Sequence, residues 1–347
     1  MLKSYTSGDQ PFVIAEVGNN HQGKLEIAQQ YIREFAGAGA DAIKFQTRNN
    51  KYLFSDCGYN APYNSEHSFG ETYGEHREHL ELRPEWLPIL KADCEKYNVK
   101  FMSTPFDEPS LNLLCEVGVD LIKVASFDLG NLPLLKRIAA TGFPVVISCG
   151  GGKAHQIRSS VEELLKGTAE VTVMHCVSEY PCDHNRLGLD NIEILIKEFP
   201  ECTIGLSDHF NGILSGPIAY MKGARVFEKH VTLSRAWRGA DHGFSLEHDG
   251  FRKFVRDIKR VPEMMPPKHE SELGGEAVFK RLGKSIVALH DIQPGQTISI
   301  NDLTGKIYDG YGIPIRQSSE VIGATAIIKI SAGELVSFEA VSLVNAV

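Results

Sequence analysis

The sequence predicts a (β/α)8 barrel followed by a small β-rich domain. Three observations carry this reading. Eight short β-type runs alternate with eight amphipathic helical segments, and together they fill about 250 residues, the repeat count and length of such a barrel. Beyond Val261 the alternation stops in a stretch rich in Pro, Glu and Gly. A short internal repeat then occupies the C-terminal part of the chain.

The expected strands are 12–17, 42–47, 100–106, 121–126, 144–149, 171–178, 203–208 and 226–233. Between them lie helical patterns such as LEIAQQYIREFAGAG, EWLPILKADCEKYN, NLPLLKRIAATG and LDNIEILIKEF, whose apolar residues recur at helical spacing. An open doubly wound sheet is the alternative, but no G-x-G-x-x-G follows a strand to support dinucleotide binding. Residues 48–83 break the rhythm with many Tyr, Asn, His, Ser and Glu. A loop of this length on the active-site face is either a functional element or a surface insertion. Residues 1–265 are therefore expected to form the barrel, 266–283 a linker, and 284–347 the small domain. Within that domain Ile292, Gly295, Ile298, Ser299 and Leu303 recur as Ile330, Gly333, Val336, Ser337 and Val341. Each copy reads as strand, Gly turn, short strand and Ser-capped helical turn.

Composition narrows the function classes. The chain has 347 residues, 42% hydrophobic and 23% charged, which is ordinary for a globular protein. A formal charge of −8 argues against a broad nucleic-acid surface, while leaving room for a local cationic pocket. No apolar run reaches the roughly 18 residues needed to cross a membrane. The opening MLKSYTSGDQ lacks the pattern of a signal peptide. The seven cysteines are scattered, odd in number and never in a C-x-x-C pair, which fits a reducing cytoplasm.

Function in a barrel of this class sits at the carboxyl ends of the strands. Those ends carry Glu16, Asn20 and His21, then Lys44, Gln46 and Thr47, then Ser103 and Thr104. Lys123, Ser126, Ser148, Ser178 and Tyr180 follow, and Ser207, His209, Glu228 and His230 close the circuit. Burying so many polar groups without partners would be costly, so the set points to a ligand. Two lysines among Ser and Thr hydroxyls suit a phosphate better than a neutral molecule. Alternation along a strand puts Ser207 with His209, and Glu228 with His230, on one face. Two imidazoles at adjacent strand ends are either a half-shell for a divalent transition metal or hydrogen-bonded structural histidines. Lys44 or Lys123 as a Schiff-base lysine is a further reading, which leaves the histidines and hydroxyls without a task.

These residues sit in motifs that resemble the sialic acid synthases and their spore-coat polysaccharide relatives. The motifs are FVIAEVGNNHQG, AIKFQT, FMSTPF, LIKVAS, SEYP, IGLSDH, FEKH, GADHGFSLE and the C-terminal repeat, and they span nearly the whole chain. The resemblance implies a (β/α)8 barrel with an antifreeze-like SAF domain. It also implies condensation of phosphoenolpyruvate with an open-chain, N-acetylmannosamine-like amino-sugar aldehyde, giving a nonulosonic acid for surface polysaccharide. By that resemblance His209 and His230 are metal ligands, with Mn²⁺ the expected ion. Glu16 is the carboxylate beside the reacting carbons, and Glu228 lies near the metal. Lys44, Thr104, Lys123, Ser126, Ser148, Ser178 and Ser207 match the phosphoenolpyruvate pocket, and Gln46, Tyr180 and Asp241 match sugar contacts. A domain-swapped homodimer is implied as well, with no nucleic acid or membrane partner.

Two departures bear on the sugar. The family commonly has Ser-Thr-Gly-Met after the fifth strand, whereas this chain has Ser148-Cys149-Gly150-Gly151. Where relatives carry Lys-Arg-Pro-Gly in the SAF domain, this chain has Lys306-Ile307-Tyr308-Asp309-Gly310, and Arg316 is the candidate replacement for the missing arginine. A related synthase acting on a sugar phosphate stays open as an alternative, and would require a second phosphate site. A non-catalytic carbohydrate-binding relative is the rival from another class, although it would have no chemical need for Glu16, both lysines and both histidines together.

Overall fold

The computed structural model describes residues 10–168, 170–308, 310 and 312–342, so Asp309 lies outside the described residues. The chain divides into two compact units, Met1–Met265 and Pro266–Val347.

In the first unit eight parallel strands close into a barrel: β1 (Phe12–Gly18), β2 (Ala42–Thr47), β3 (Lys100–Pro105), β4 (Leu121–Val124), β5 (Val145–Ser148), β6 (Val171–Cys176), β7 (Thr203–Asp208) and β8 (Val226–His230). β1 pairs with both β2 and β8, which rules out the open sheet. Several strands stop earlier than their apolar runs suggest. β4 ends at Val124 and the chain enters a 3-10 turn at Ser126–Asp128, while β6 ends at Cys176 and β8 at His230. In each case the strand ends where its ladder runs out, at Val124↔Ile147, Cys176↔Ser207 and Glu16↔His230.

The barrel interior follows the two-residue period of a strand. A buried apolar layer is made by Phe12, Ile14, Ala42, Met102, Leu121, Val146, Met174 and Val226. Gly205 of β7 completes it, because a Cβ there would lie 2.4 Å from the Val226 carbonyl oxygen. One step of two residues along each strand brings Glu16, Lys44, Thr104, Lys123, Ser148, Cys176, Ser207 and Glu228 onto the same inward face. The apolar layer is thus a floor, and the polar set stands on it.

The opposite faces of the strands meet the helices in a second, larger core. Helix Leu25–Gly37 buries Ala28, Tyr31, Ile32 and Phe35, the stripe expected of a 3.6-residue period. Phe35 meets Phe251 of helix His248–Met264 edge to face, with centroids 5.4 Å apart. Such pairs contribute about 1 kcal/mol beyond the area they bury. Thr47 and Ser103, expected at the mouth, face away from the interior and hydrogen-bond each other at 2.8 Å.

Residues 48–83 form an ordered cap on one side of the mouth rather than an unstructured insertion. It contains helices Asn50–Leu53, Asp56–Tyr59 and Tyr73–Leu80. Thr72 and Glu75 make a reciprocal capping box at the start of the last helix. Tyr73 and His76 of that helix pack their rings against Phe54 and Tyr63.

The second unit has its own core, which includes Ile286, Ile292, Ile298, Ile330 and Val336. β9 (Lys284–Ala288) pairs antiparallel with β10 (Leu303–Ile307), and β11 (Thr325–Ala326) with β12 (Val341–Ser342). The repeat is visible in space, since Ile292 and Ile330 exchange backbone hydrogen bonds at 2.8 and 3.0 Å. The two repeat glycines, Gly295 and Gly333, both turn the chain at positive φ, 79° and 86°. The stretch read as a linker holds a short helix, Ala277–Leu282. Among the described residues no helix is long and apolar enough to cross a membrane.

Candidate active site

Two carboxylates and two ammonium groups stand on the barrel floor. Lys44 Nζ lies 2.7 Å from Glu16 Oε2 and 3.6 Å from Glu228 Oε1. Lys123 Nζ lies 3.6 Å from the same Glu228 oxygen. Lys123 also donates to Ser148 Oγ at 2.6 Å, Lys44 to Thr104 Oγ1 at 3.3 Å, and Ser207 Oγ to Glu228 Oε1 at 3.2 Å. All four ionisable side chains are at most 5% exposed.

Burial and pairing push the two carboxylates apart. Burial alone would raise Glu228, but Lys123 and Lys44 outweigh it and hold its carboxyl down at about 2. Glu16 moves the other way, because burial, reinforced by the charge of Glu228, exceeds the pull of Lys44. Lys44 is held protonated by the two carboxylates against its burial. Burial and the neighbouring Lys44 charge lower Lys123. One firmly ionised carboxylate, one that accepts a proton readily and two cations make a floor suited to an anionic ligand beside a group that can exchange protons.

Beyond the floor the loops after β4, β5 and β6 form a cradle. The Gly150 N–H donates to Ser126 Oγ at 3.0 Å. A Cβ on Gly150 would lie 2.3 Å from Ser178 Oγ, 2.9 Å from Ser126 Oγ and 3.0 Å from Cys176 Sγ, so the cradle tolerates only glycine there. Ser178 Oγ is buried and has no hydrogen-bond partner. A buried hydroxyl without a partner carries a penalty of about 1–3 kcal/mol, which an anion's oxygens would relieve. Gly150 and Cys176 are additions to the expected set.

His209 and His230 face each other at the ends of β7 and β8, ring centroids 5.4 Å apart. His209 Nδ1 donates to the Val177 carbonyl at 2.6 Å, which leaves Nε2 as the lone-pair nitrogen. Nδ1 of His230 is buried without a hydrogen-bond partner, 3.9 Å from Asp241 Oδ2. Burial holds the His230 imidazole neutral, with its pKa down at about 3. Among the described residues no group of three His, Cys, Asp or Glu side chains could hold a metal. Two adjacent imidazoles, one with an orphaned nitrogen, fit a divalent ion that takes its other ligands from water and substrate.

Tyr180 lies over His209 at 4.1 Å between ring centroids, and Phe244 closes on His230 at 5.1 Å. Gln46 donates to Glu16 Oε1 at 2.7 Å. All these groups except Gly150, Val177, Ser178 and Phe244 line one cavity of about 560 Å³, together with Asp241. Asn20 and His21 serve the walls: Asn20 donates to the Val231 carbonyl at 2.8 Å, and His21 Nδ1 accepts from the Gly23 N–H at 3.1 Å. Arg316 belongs to the second unit, where its guanidinium lies 4.4 Å from the centre of the Phe279 ring.

Residues 31–270, more than half of the chain, match the NeuB family, and residues 283–342 match the SAF domain. The chain belongs to the NeuB family. Among curated relatives, N-acetylneuraminate-9-phosphate synthase of Mus musculus is 33% identical over 339 residues, covering 97% of this chain and 94% of that protein. N,N'-diacetyllegionaminic acid synthase of Campylobacter jejuni is 32% identical over 329 residues, covering 93% and 98%. Among solved structures, N-acetylneuraminic acid synthetase of Leptospira borgpetersenii in complex with citrate is 33% identical with a TM-score of 0.66, covering 79% of this chain and 90% of that one. This NeuB-family chain is a nonulosonic acid synthase, and the family implies phosphoenolpyruvate and an amino sugar as its substrates.

Proposed function

We propose that the enzyme condenses phosphoenolpyruvate with the open-chain aldehyde form of an N-acetylmannosamine-like amino sugar, on the floor formed by Glu16, Lys44, Lys123 and Glu228. The observation that carries this reading is the convergence of Lys44 and Lys123 on Glu228 Oε1 at 3.6 Å each, in the cavity that Ser126 and Cys176 of the cradle also line. Lys44, Lys123 and the hydroxyls of Thr104, Ser126, Ser148, Ser178 and Ser207 take the carboxylate and phosphate of phosphoenolpyruvate. Gln46, Tyr180 and Asp241 face the aldehyde partner, and Arg316 is the residue of the second unit assigned to the sugar.

The chemistry balances as follows. The enol π pair of phosphoenolpyruvate forms the new C–C bond to the aldehyde carbon, whose C=O π pair moves onto its oxygen. Water adds to the cationic carbon left behind, and Glu16 accepts the proton that water loses and passes it to that oxygen. The hemiketal phosphate then collapses to a ketone, and inorganic phosphate departs with the bridging oxygen and the hydroxyl proton. Glu228, held ionised, stabilises the positive charge that passes through the site. A divalent ion on His209 and His230, with Mn²⁺ proposed, would supply Lewis-acid polarisation of the aldehyde oxygen. The homodimer belongs to the same proposal.

Phosphate release that requires both substrates tests the reaction. Release strictly dependent on a hexosamine is expected. Release from phosphoenolpyruvate at the same rate without any sugar would contradict it.

A further inference from the structure

The cavity has a second cationic region, separate from the two lysines. Arg48 and Arg77 on the ordered cap and Arg238 after β8 all line it. Arg77 Nε and Nη2 both donate to Tyr73 Oη, at 3.1 and 2.8 Å. Arg238 is steadied by the Glu66 carbonyl at 3.1 Å, by the Ser68 carbonyl and by the Phe69 ring. Neither Arg77 nor Arg238 pairs with a carboxylate among the described residues. A guanidinium has five N–H donors, so each retains several for a ligand.

The nearby acids are engaged elsewhere rather than paired with Arg77 or Arg238. Glu81, 4.0 Å from Arg48, is pushed up to about 7 by burial. Glu75 Oε2 accepts from the backbone of Glu71 and Thr72, and Glu78 accepts from Tyr59 Oη. Asp241 and Asp128 line the cavity as well; Asp241 faces His230, and Asp128 accepts from Asn131 Nδ2 at 2.9 Å. Arg77 and Arg238 both lie close enough to His76 that, after burial, their charges help hold that imidazole neutral, its pKa down at about 4. At Arg77 and Arg238 the region therefore presents planar guanidinium forks that no carboxylate pairs among the described residues, the arrangement suited to a phosphate monoester. A line of hydrogen bonds links it to the reacting floor: Arg48 Nη2 to Gln46 Oε1 at 2.5 Å, then Gln46 Nε2 to Glu16 Oε1 at 2.7 Å.

We propose that Arg77 and Arg238, with Arg48 behind them, bind the terminal phosphate of the sugar, so that the substrate is a hexosamine 6-phosphate. This rests on the condensation reading above and supplies the second phosphate site that a sugar-phosphate synthase requires. Adding three carbons to a six-carbon sugar makes its C6 the C9 of the product. The relatives divide on this point, since the mouse enzyme is named for a 9-phosphate and the Campylobacter enzyme is not.

Steady-state kinetics with N-acetylmannosamine and its 6-phosphate, at saturating phosphoenolpyruvate, test the proposal on the full-length enzyme. The phosphorylated sugar is expected to have the higher kcat/KM, by roughly ten- to a hundredfold for a charge-assisted contact. Arg77→Gln and Arg238→Gln should each shrink that preference at least about fivefold while KM for phosphoenolpyruvate stays within about twofold. Should a variant fail to fold, the wild-type ratio decides alone. Binding of the unreactive alditol 6-phosphate, measured by calorimetry against the plain alditol, provides a second readout. Equal use of the two sugars, or preference for the plain one, would overturn the phosphate site and leave the condensation intact. No reaction with either sugar, together with no binding of phosphoenolpyruvate, would overturn the condensation reading and this inference with it.

Discussion

Lys123 Nζ of β4 donates to Ser148 Oγ of the adjacent β5 at 2.6 Å, and both side chains are buried. The contact holds the ammonium on the barrel floor, 3.6 Å from Glu228 Oε1. If Lys123 and Lys44 are the counter-charges of phosphoenolpyruvate, replacing either with methionine should lower kcat/KM for that substrate at least about a hundredfold, the scale of a lost charged contact in a water-excluded site. Initial rates at varied phosphoenolpyruvate would measure it, and a change of under threefold would remove the lysine from the pocket.

Gly150→Ala is the sharpest test of the cradle. The new methyl would stand 2.3 Å from Ser178 Oγ, in the space assigned to the phosphate. KM for phosphoenolpyruvate should rise at least about tenfold, with KM for the sugar changing far less. A variant with unaltered phosphoenolpyruvate kinetics would show that the phosphate sits elsewhere.

Metal dependence is expected from the two imidazoles. Chelation should abolish turnover, and Mn²⁺ should restore it to the wild type but not to His209→Ala or His230→Ala. Full activity after chelation, with metal analysis showing none bound, would return both histidines to a structural role.

Beneath the histidines a buried pair holds the end of β7 to β8. Lys229 Nζ lies 2.7 Å from Asp208 Oδ2, which also accepts from Ser215 Oγ at 2.5 Å. Lys229→Met leaves that carboxylate buried without its cation and should cost about 3–5 kcal/mol of stability. Denaturant unfolding would show it as a lowered midpoint; a midpoint equal to the wild type would mean the pair does not hold β7 to β8.

Much of the site was legible because a strand shows its faces in its spacing. Glu16, Lys44, Thr104, Lys123, Ser148, Ser207 and Glu228 each stand two residues past an inward position of the floor, so polarity at strand ends was enough to find them. Cys176 occupies the same register and was passed over because a thiol within an apolar run reads as a small hydrophobe. Thr47 and Ser103 erred in the other direction, being polar at strand ends but facing outward. Gly150 has no side chain to announce it, and only its distances to Ser126, Ser178 and Cys176 reveal its place. Arg77 and Arg238 were invisible for a different reason. Their convergence depends on how the 48–83 segment folds around its own aromatic rings, which no local period encodes.

The condensation itself is tested most directly with phosphoenolpyruvate carrying ¹⁸O at the bridging position, incubated with enzyme and an N-acetylmannosamine substrate. Mass spectrometry of the products should find the label in inorganic phosphate and a nine-carbon 2-keto acid free of it. Label retained in the sugar acid, or labelled pyruvate with no nine-carbon product, would contradict attack of water at the former enol carbon and with it the roles given to Glu16, Lys44 and Lys123.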